Sequence, residues 1–439
     1  MVRKVYTSKE EFETQRAQLN VSLPYADNVS VLSTPVQINN TTIPNRLVCQ
    51  AMEGCDGTKD GSPDVLTKRR YERFAKGGAG LIWYEATAVL KEGRANPRQL
   101  YITQDNLDDF KRQVEEIKTT GIKENGFEPI VIMQATHSGR YSKPDGTPAP
   151  LIAYNNPIFE KDNPIDSSRI VSDEYLDKVR DHLIHGALLA QKAGFDGVDI
   201  KACHRYLNSE LLSAYERKGK YGGSLENRTR LLRESVRGAV ENCNNDFIVS
   251  SRLNVYDGFP YPYGFGVKTD GTTDFDESEP VWLLQQLYQE GMRLINISMG
   301  NPYFNPHVNR PFALGGYQPQ EHPLQGVERM LNSIAKLKKQ VPDMKFISSG
   351  ISYLGVTAPN VTAGFIEQGG FDFAGFGRTI FAYPDFANDI LMHGEMKKEK
   401  CCICCSKCTE LMRAGGTPGC IIKDREVYAP LYKEFCMKK

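Results

Sequence analysis

Eight short apolar, β-branched runs alternate with longer amphipathic stretches from about residue 31 onward, and this alternation restricts the chain to few architectures. The runs lie at 46–48, 80–83, 129–133, 197–200, 247–250, 293–297, 345–347 and 371–375. Each has few alternating polar positions, the pattern of parallel strands buried on both faces. Between them, 176–193, 228–242 and 280–290 repeat apolar residues every three or four positions, which predicts amphipathic helices. Strands alternating with helices point to a barrel or a doubly wound sheet. The rhythm alone does not separate these two. No GxGxxG turn opens a helix after any of the runs, which argues against a dinucleotide-binding Rossmann half. At 439 residues the chain suits one large (β/α)8 TIM barrel with appendages, or two ordinary domains.

Lys plus Arg and Asp plus Glu each total 54, so net charge gives no reason to expect nucleic acid or an anionic membrane as partner. No uninterrupted apolar run approaches the ~20 residues of a membrane-spanning helix. The N-terminal stretch carries acidic residues and no apolar core of a signal peptide, so a cytoplasmic protein is expected. Cys49, Cys55, Cys203 and Cys243 are scattered, whereas Cys401, Cys402, Cys404, Cys405, Cys408 and Cys420 crowd together, and Cys436 sits in the tail. Without a secretory signal these are poor candidates for structural disulfides. Metal or cluster ligation suits the crowd better.

Three segments follow from these patterns: a polar extension at 1–30, a barrel at 31–395 and a cysteine-rich module at 396–439. Two long loops, 136–172 and 254–276, follow strands. In a barrel they would cover the C-terminal face, where active sites sit.

The richest stretch is 194–231. It holds His204-x-Tyr206-Leu207 and Tyr221-Gly222-Gly223-Ser224-x-Glu226-Asn227-Arg228. Further marks are Asn45-Arg46-Leu47, Gly77-Gly78-Ala79-Gly80, Gln134-x-x-His137-x-Gly139-Arg140, Ser251-Arg252-Leu253, Ser348-Ser349-Gly350 and Gly377-Arg378. In this order, over roughly 31–420, the chain resembles the Old Yellow Enzyme superfamily. The resemblance implies a (β/α)8 barrel and an FMN site. Met52 and Ala86 would border the isoalloxazine, Gln134 its pyrimidine edge, and Arg252 the N1–O2 side. Gly350, Gly377 and Arg378 would hold the phosphate. Phosphate sites after strands 7 and 8 are common in barrels, and glycines there admit backbone N–H groups.

The end of the fourth strand departs from the family pattern. The family places two polar side chains three apart, which polarise a substrate carbonyl, and a Tyr two positions later donates a proton. Here His204 and Tyr206 match, Lys201 replaces the first His, and Arg205 replaces a frequent Gly. Lys201 suits a cationic donor to a carbonyl or carboxylate, or a partner for a nearby acid. Arg205 suits a contact to an anionic substrate group, or a solvated loop position. A second departure is Glu53 after Met52, where the family has Thr or Cys. A carboxylate there would disfavour extra negative charge on the flavin.

Cys401-x2-Cys404-x3-Cys408-x11-Cys420 resembles the [4Fe–4S] ligand spacing of 2,4-dienoyl-CoA reductases. A second register, Cys402-x2-Cys405-x2-Cys408 with Cys420, is closer to the trimethylamine dehydrogenase branch. The first register is the preferred expectation, and structural zinc is the alternative use of four thiolates. Relatives of this branch continue with nucleotide-binding domains that this sequence does not contain. Electrons are therefore expected from NAD(P)H directly or from a separate electron-donor flavoprotein. The resulting expectation is an ene-reductase acting on a small unsaturated carbonyl or carboxyl compound, with a homo-oligomeric state left open. Alternatives are an amine dehydrogenase using Tyr256, Tyr261, Tyr263 or Tyr303 to bind a cation, and a non-catalytic electron-transfer subunit.

Overall fold

The computed structural model describes residues 3–437; positions 1–2 and 438–439, the tips of the two outer segments, lie outside the described residues. Eight parallel strands form the centre: β1 (Leu47–Cys49), β2 (Leu81–Ala88), β3 (Ile130–Thr136), β4 (Gly197–Ile200), β5 (Ile248–Asn254), β6 (Leu294–Ser298), β7 (Lys345–Ile347) and β8 (Ala374–Phe376). They neighbour one another in chain order, and β8 pairs with β1 through Ala374 opposite Leu47. Between β7 and β8 the contact is a bridge from Ile347 to Phe373, with the Ser348 amide donating to the Phe373 carbonyl at 3.0 Å. The sheet is thus a nearly closed (β/α)8 barrel rather than a doubly wound sheet.

Each strand is followed by an outer helix: α1 (Val65–Lys76), α2 (Leu107–Asn125), α3 (Asp173–Lys192), α4 (Arg230–Asn242), α5 (Ser278–Gln289), α6 (Pro323–Gln340), α7 (Ala358–Glu367) and α8 (Phe386–His393). Local chemistry sets their starts. Asp64 and Ser172 accept hydrogen bonds from the first-turn amides of α1 and α3, satisfying donors that a helix leaves open. The strands are buried on both faces, as their continuous apolar character predicts; all eight residues of β2 are buried.

A hairpin, Val36–Ile38 paired with Thr41–Ile43, was not anticipated from the sequence. Its Val36, Ile38 and Ile43 form one apolar cluster with the first residues of four strands, Leu81, Ile130, Ile248 and Leu294. The hairpin therefore plugs the N-terminal mouth of the barrel. The open cavity lies at the opposite end, lined by residues at or beyond the strand C-termini. The N-terminal extension packs outside, with Phe12 buried against Tyr6 and Tyr25.

The cysteine-rich segment adds α9 (Lys407–Arg413) and α10 (Arg425–Tyr432). Two clamps join it to the barrel. Arg69 of α1 donates to Asp424 at 2.8 Å and Arg73 pairs with the same carboxylate. Lys397 and Lys400 meet Asp389 of α8 at 2.8 and 3.2 Å. No helix among the described residues is long and apolar enough to cross a membrane.

Candidate active site

The C-terminal ends of the strands surround a cavity. All seven residues expected to contact the flavin line it: Met52, Ala86, Gln134, Arg252, Gly350, Gly377 and Arg378. Lys201, His204 and Tyr206 line it too. They arrive there because each stands at or just beyond a strand end, so barrel closure points them inward.

Beneath the cavity, Asp199 of β4 organises the barrel interior. It accepts hydrogen bonds from Gln134 Nε2 at 2.5 Å, from the Arg252 amide at 2.6 Å and from Trp83 Nε1 at 2.7 Å. Gln134 therefore has its amide nitrogen committed, and its carbonyl oxygen remains as an acceptor. Gln50 and Asn296 exchange amide hydrogen bonds at 2.8 and 3.1 Å beside it.

Three buried polar atoms of lining residues have no hydrogen-bond partner in the protein: His204 Nε2, Arg252 Nε and Arg378 Nη1. Leaving such groups unpaired costs about 1–3 kcal/mol each, so they mark where a polar ligand belongs. Gly377 adds a steric sign. A Cβ there would meet nothing closer than Met52 Sδ at 3.8 Å, so its backbone faces open space. Gly350 has φ +80°, a conformation that L side chains rarely adopt. An anionic phosphate and a flat polar ring fit this set of donors and bare backbone. Arg310, from the segment after β6, lines the same end of the cavity. The sequence held no signal for it beyond a lone Arg in a loop.

The opposite wall carries the acid–base groups. Among the described residues the Lys201 ammonium has no hydrogen-bond or ion-pair partner, and it lies 3.7 Å from the centroid of the Tyr206 ring. Burial, reinforced by Arg252 and Lys201, holds the His204 imidazole well below its usual pKa, so it is neutral. Burial, then the charge of Glu53, pushes the Tyr206 hydroxyl well above the ordinary tyrosine value, so it keeps its proton. That hydroxyl lies 3.0 Å from the Tyr303 hydroxyl and 3.4 Å from Glu53 Oε2. Tyr303 stacks on Tyr141, with ring centroids 3.9 Å apart.

Three expectations need correction. Arg205, expected to reach a substrate anion or solvent, does neither. Its φ of 59° follows the 65° of His204 and turns its side chain away from the cavity. The guanidinium is fully buried and donates to Asp257 at 2.9 Å, Ser213 at 2.5 Å and the Tyr154 hydroxyl at 2.9 Å. It latches the loop after β4 to those after β3 and β5. Of the four tyrosines suggested for cation binding, only Tyr303 lines the cavity; Tyr256, for example, donates to the Thr273 carbonyl at 2.6 Å. The preferred cysteine register does not gather on one cavity wall. Cys402, Cys405, Cys408 and Cys420 line a second, small cavity, and Cys401 and Cys404 do not. Those two are buried in the apolar core, with the Cys401 thiol directed at the Lys397 carbonyl, 3.5 Å away. Among the described residues no three Cys, His, Asp or Glu side chains converge as the ligands of one metal ion. Arg378, Phe381 and Cys408 line both cavities, so the two adjoin.

Comparison with known proteins agrees with this geometry. Residues 31–269 match the model of the NADH:flavin oxidoreductase / NADH oxidase family. An NADPH dehydrogenase of Halalkalibacterium halodurans is 32% identical over 269 residues, covering 60% of this chain and 71% of that protein. An old yellow enzyme homologue from Zymomonas mobilis shares the fold at TM-score 0.61 and 20% identity, over 84% of this chain and 94% of the other. A 2-naphthoyl-CoA reductase complex superposes at TM-score 0.73 and 19% identity over 93% of this chain. The present chain spans only 58% of that one. From the family model and the NADPH dehydrogenase likeness, set on a barrel whose cavity presents these residues, the chain belongs to the NADH:flavin oxidoreductase / NADH oxidase family and is an FMN-dependent oxidoreductase.

Proposed function

We propose that the protein is an ene-reductase, adding a hydride and a proton across the activated C=C of an unsaturated carbonyl or carboxyl compound. One observation carries the reading. A neutral imidazole with an unpartnered Nε2, an unpaired ammonium and a protonated phenol share one wall of the cavity. When bound, FMN supplies hydride chemistry. The residues that fit it are Met52 and Ala86 at the ring and Gln134 through its free carbonyl oxygen. Arg252 would serve the N1–O2 side, and Gly350, Gly377, Arg378 and Arg310 the phosphate. His204 and Lys201 then donate to the acceptor oxygen, drawing electron density from the double bond. Tyr206 delivers its proton to the α-carbon. Excluding water behind the plugged barrel strengthens each of these contacts.

We infer that the cysteine module holds a [4Fe–4S] cluster, which when bound would supply one-electron transfer. The supporting observation is that four thiols line one cavity adjoining the larger one. On this reading Cys402, Cys405, Cys408 and Cys420 are the ligands. The segments divide as a barrel at 31–395, a cluster module at 396–439 and an outer extension at 1–30. The reductant is NAD(P)H or a separate donor protein. An amine dehydrogenase fits less well. The face of Tyr206 already carries the Lys201 ammonium, and a second cation there would be repelled.

The test is anaerobic purification with flavin and iron quantification, followed by a panel of enones, enoates and dienoyl thioesters. The expected result is reoxidation of the reduced enzyme by at least one class. Reduced enzyme that none of them reoxidises would sink the proposal.

A further inference from the structure

Glu53 has no part in the reading above, yet it lines the cavity beside Tyr206. Its Oε2 is 3.4 Å from the Tyr206 hydroxyl, and its Oε1 accepts from Asn96 Nδ2 at 3.2 Å. Tyr206 is only 2% exposed, so bulk water does not reach it freely once its proton has gone. Two protein groups stand within reach of its oxygen: the Tyr303 hydroxyl and the Glu53 carboxyl. Tyr303 is also a phenol, so a proton passed from it leaves an equally basic phenolate on the same wall. A carboxyl is the stronger acid by about six pK units in water, so its transfer runs downhill. Glu53 is also only partly buried, whereas Tyr206 is sealed.

We propose that Glu53 is the proton source that recharges Tyr206 between turnovers, an inference that rests on the ene-reductase reading. The balance is as follows. The Tyr206 O–H bond breaks as its proton forms the new C–H bond at the substrate α-carbon, and the electron pair stays on the phenolate oxygen. The Glu53 O–H bond then breaks, its proton restores the Tyr206 O–H, and the carboxylate takes one proton from water. The Lys201 ammonium over the Tyr206 ring stabilises the phenolate between the two transfers.

The surroundings favour the protonated carboxyl. Burial raises its pKa, and the opposing influence of Lys201 is smaller. Facing Glu53 are Lys201 and Tyr206 from the end of β4, Tyr303 from the segment after β6, Asn96 from the loop after β2, and Cys55 on its own segment. Behind Cys55 stand Asp56, Glu85 and Arg70. The donating form is the protonated one, so turnover falls as pH rises through the Glu53 pKa.

Glu53→Gln keeps the size of the side chain and removes its acid. With an alkene acceptor, the variant should still complete one turnover per site, using the proton already on Tyr206. Its steady-state rate should then be about 10- to 100-fold lower, and the descending limb of its pH profile should vanish. A merely misfolded variant would lose the first turnover as well, and Glu53→Asp should restore the limb. An unchanged steady rate and pH profile in Glu53→Gln would overturn the relay while leaving the ene-reductase reading intact. Ultraviolet titration of tyrosinate in flavin-free protein, taken as a difference against Tyr206→Phe, needs no alkene. Loss of the Glu53 charge should lower the pH at which Tyr206 ionises. If wild type reduces no alkene, this titration decides, and an unmoved Tyr206 midpoint in Glu53→Gln would overturn the proposal.

Discussion

At the scale of single residues, the site separates groups that touch the cavity from groups that hold it. Tyr206 touches it. Tyr206→Phe removes one hydroxyl, and acceptor-dependent turnover should fall about 10²- to 10⁴-fold with flavin content retained, as stopped-flow reoxidation and absorbance would read. His137 holds it. Its Nε2 lies 2.8 Å from the Tyr175 hydroxyl and its Nδ1 accepts from the Gly139 amide. Burial lowers its pKa from 6.5 to about 4. The unfolded chain takes up that proton first, so the stability contributed by neutral His137 is intact above pH 6.5 and lost as pH falls toward 4. Urea unfolding at pH 7 and pH 5 should show this loss, and His137→Asn should flatten it. Lys201, His204 and Tyr206 were legible from their place after a strand. Arg205 was not, because a pair of left-handed residues sends adjacent side chains in opposite directions, and sequence does not state φ.

At the scale of elements, β4 and β7 run as the apolar runs predict, while β2, β3 and β5 extend several residues further toward the C-terminal face. Those extensions are polar or small, including Glu85, Ala86, Gln134 and Arg252, so hydrophobicity does not mark them. Neighbouring strands hold them in the ladder instead. The Arg205–Asp257 pair ties three loops above these extensions. Both partners are buried, so Arg205→Ala leaves a carboxylate without compensation and should cost about 3–5 kcal/mol in chemical denaturation. The hairpin at the other mouth acts by packing. Ile43 is fully buried there, and Ile43→Ala should cost about 2–5 kcal/mol while FMN affinity at the far end is preserved.

At the scale of the whole molecule, the cysteine-rich segment lies against the open end of the barrel, and Cys408 belongs to the walls of both cavities. On the proposed ligand set, Cys402→Ala and Cys405→Ala should each lower iron content after anaerobic reconstitution. Cys401→Ala and Cys404→Ala should not. Iron and acid-labile sulfide analysis distinguishes the two registers directly. The sequence by itself determined the succession of short buried strands, because such strands demand apolar, β-branched residues at short spacings, and the resemblance its motifs carry implied the barrel and the residues expected at the flavin. It favoured the first cysteine register over the second, and it left Arg205 and Arg310 without an address. Only the tertiary structure placed those two arginines. Which of two adjacent cysteines faces a cavity depends on a backbone turn and on the core behind it. Whether a cation meets a ligand or a buried carboxylate depends on residues about fifty positions away, brought near by folding alone.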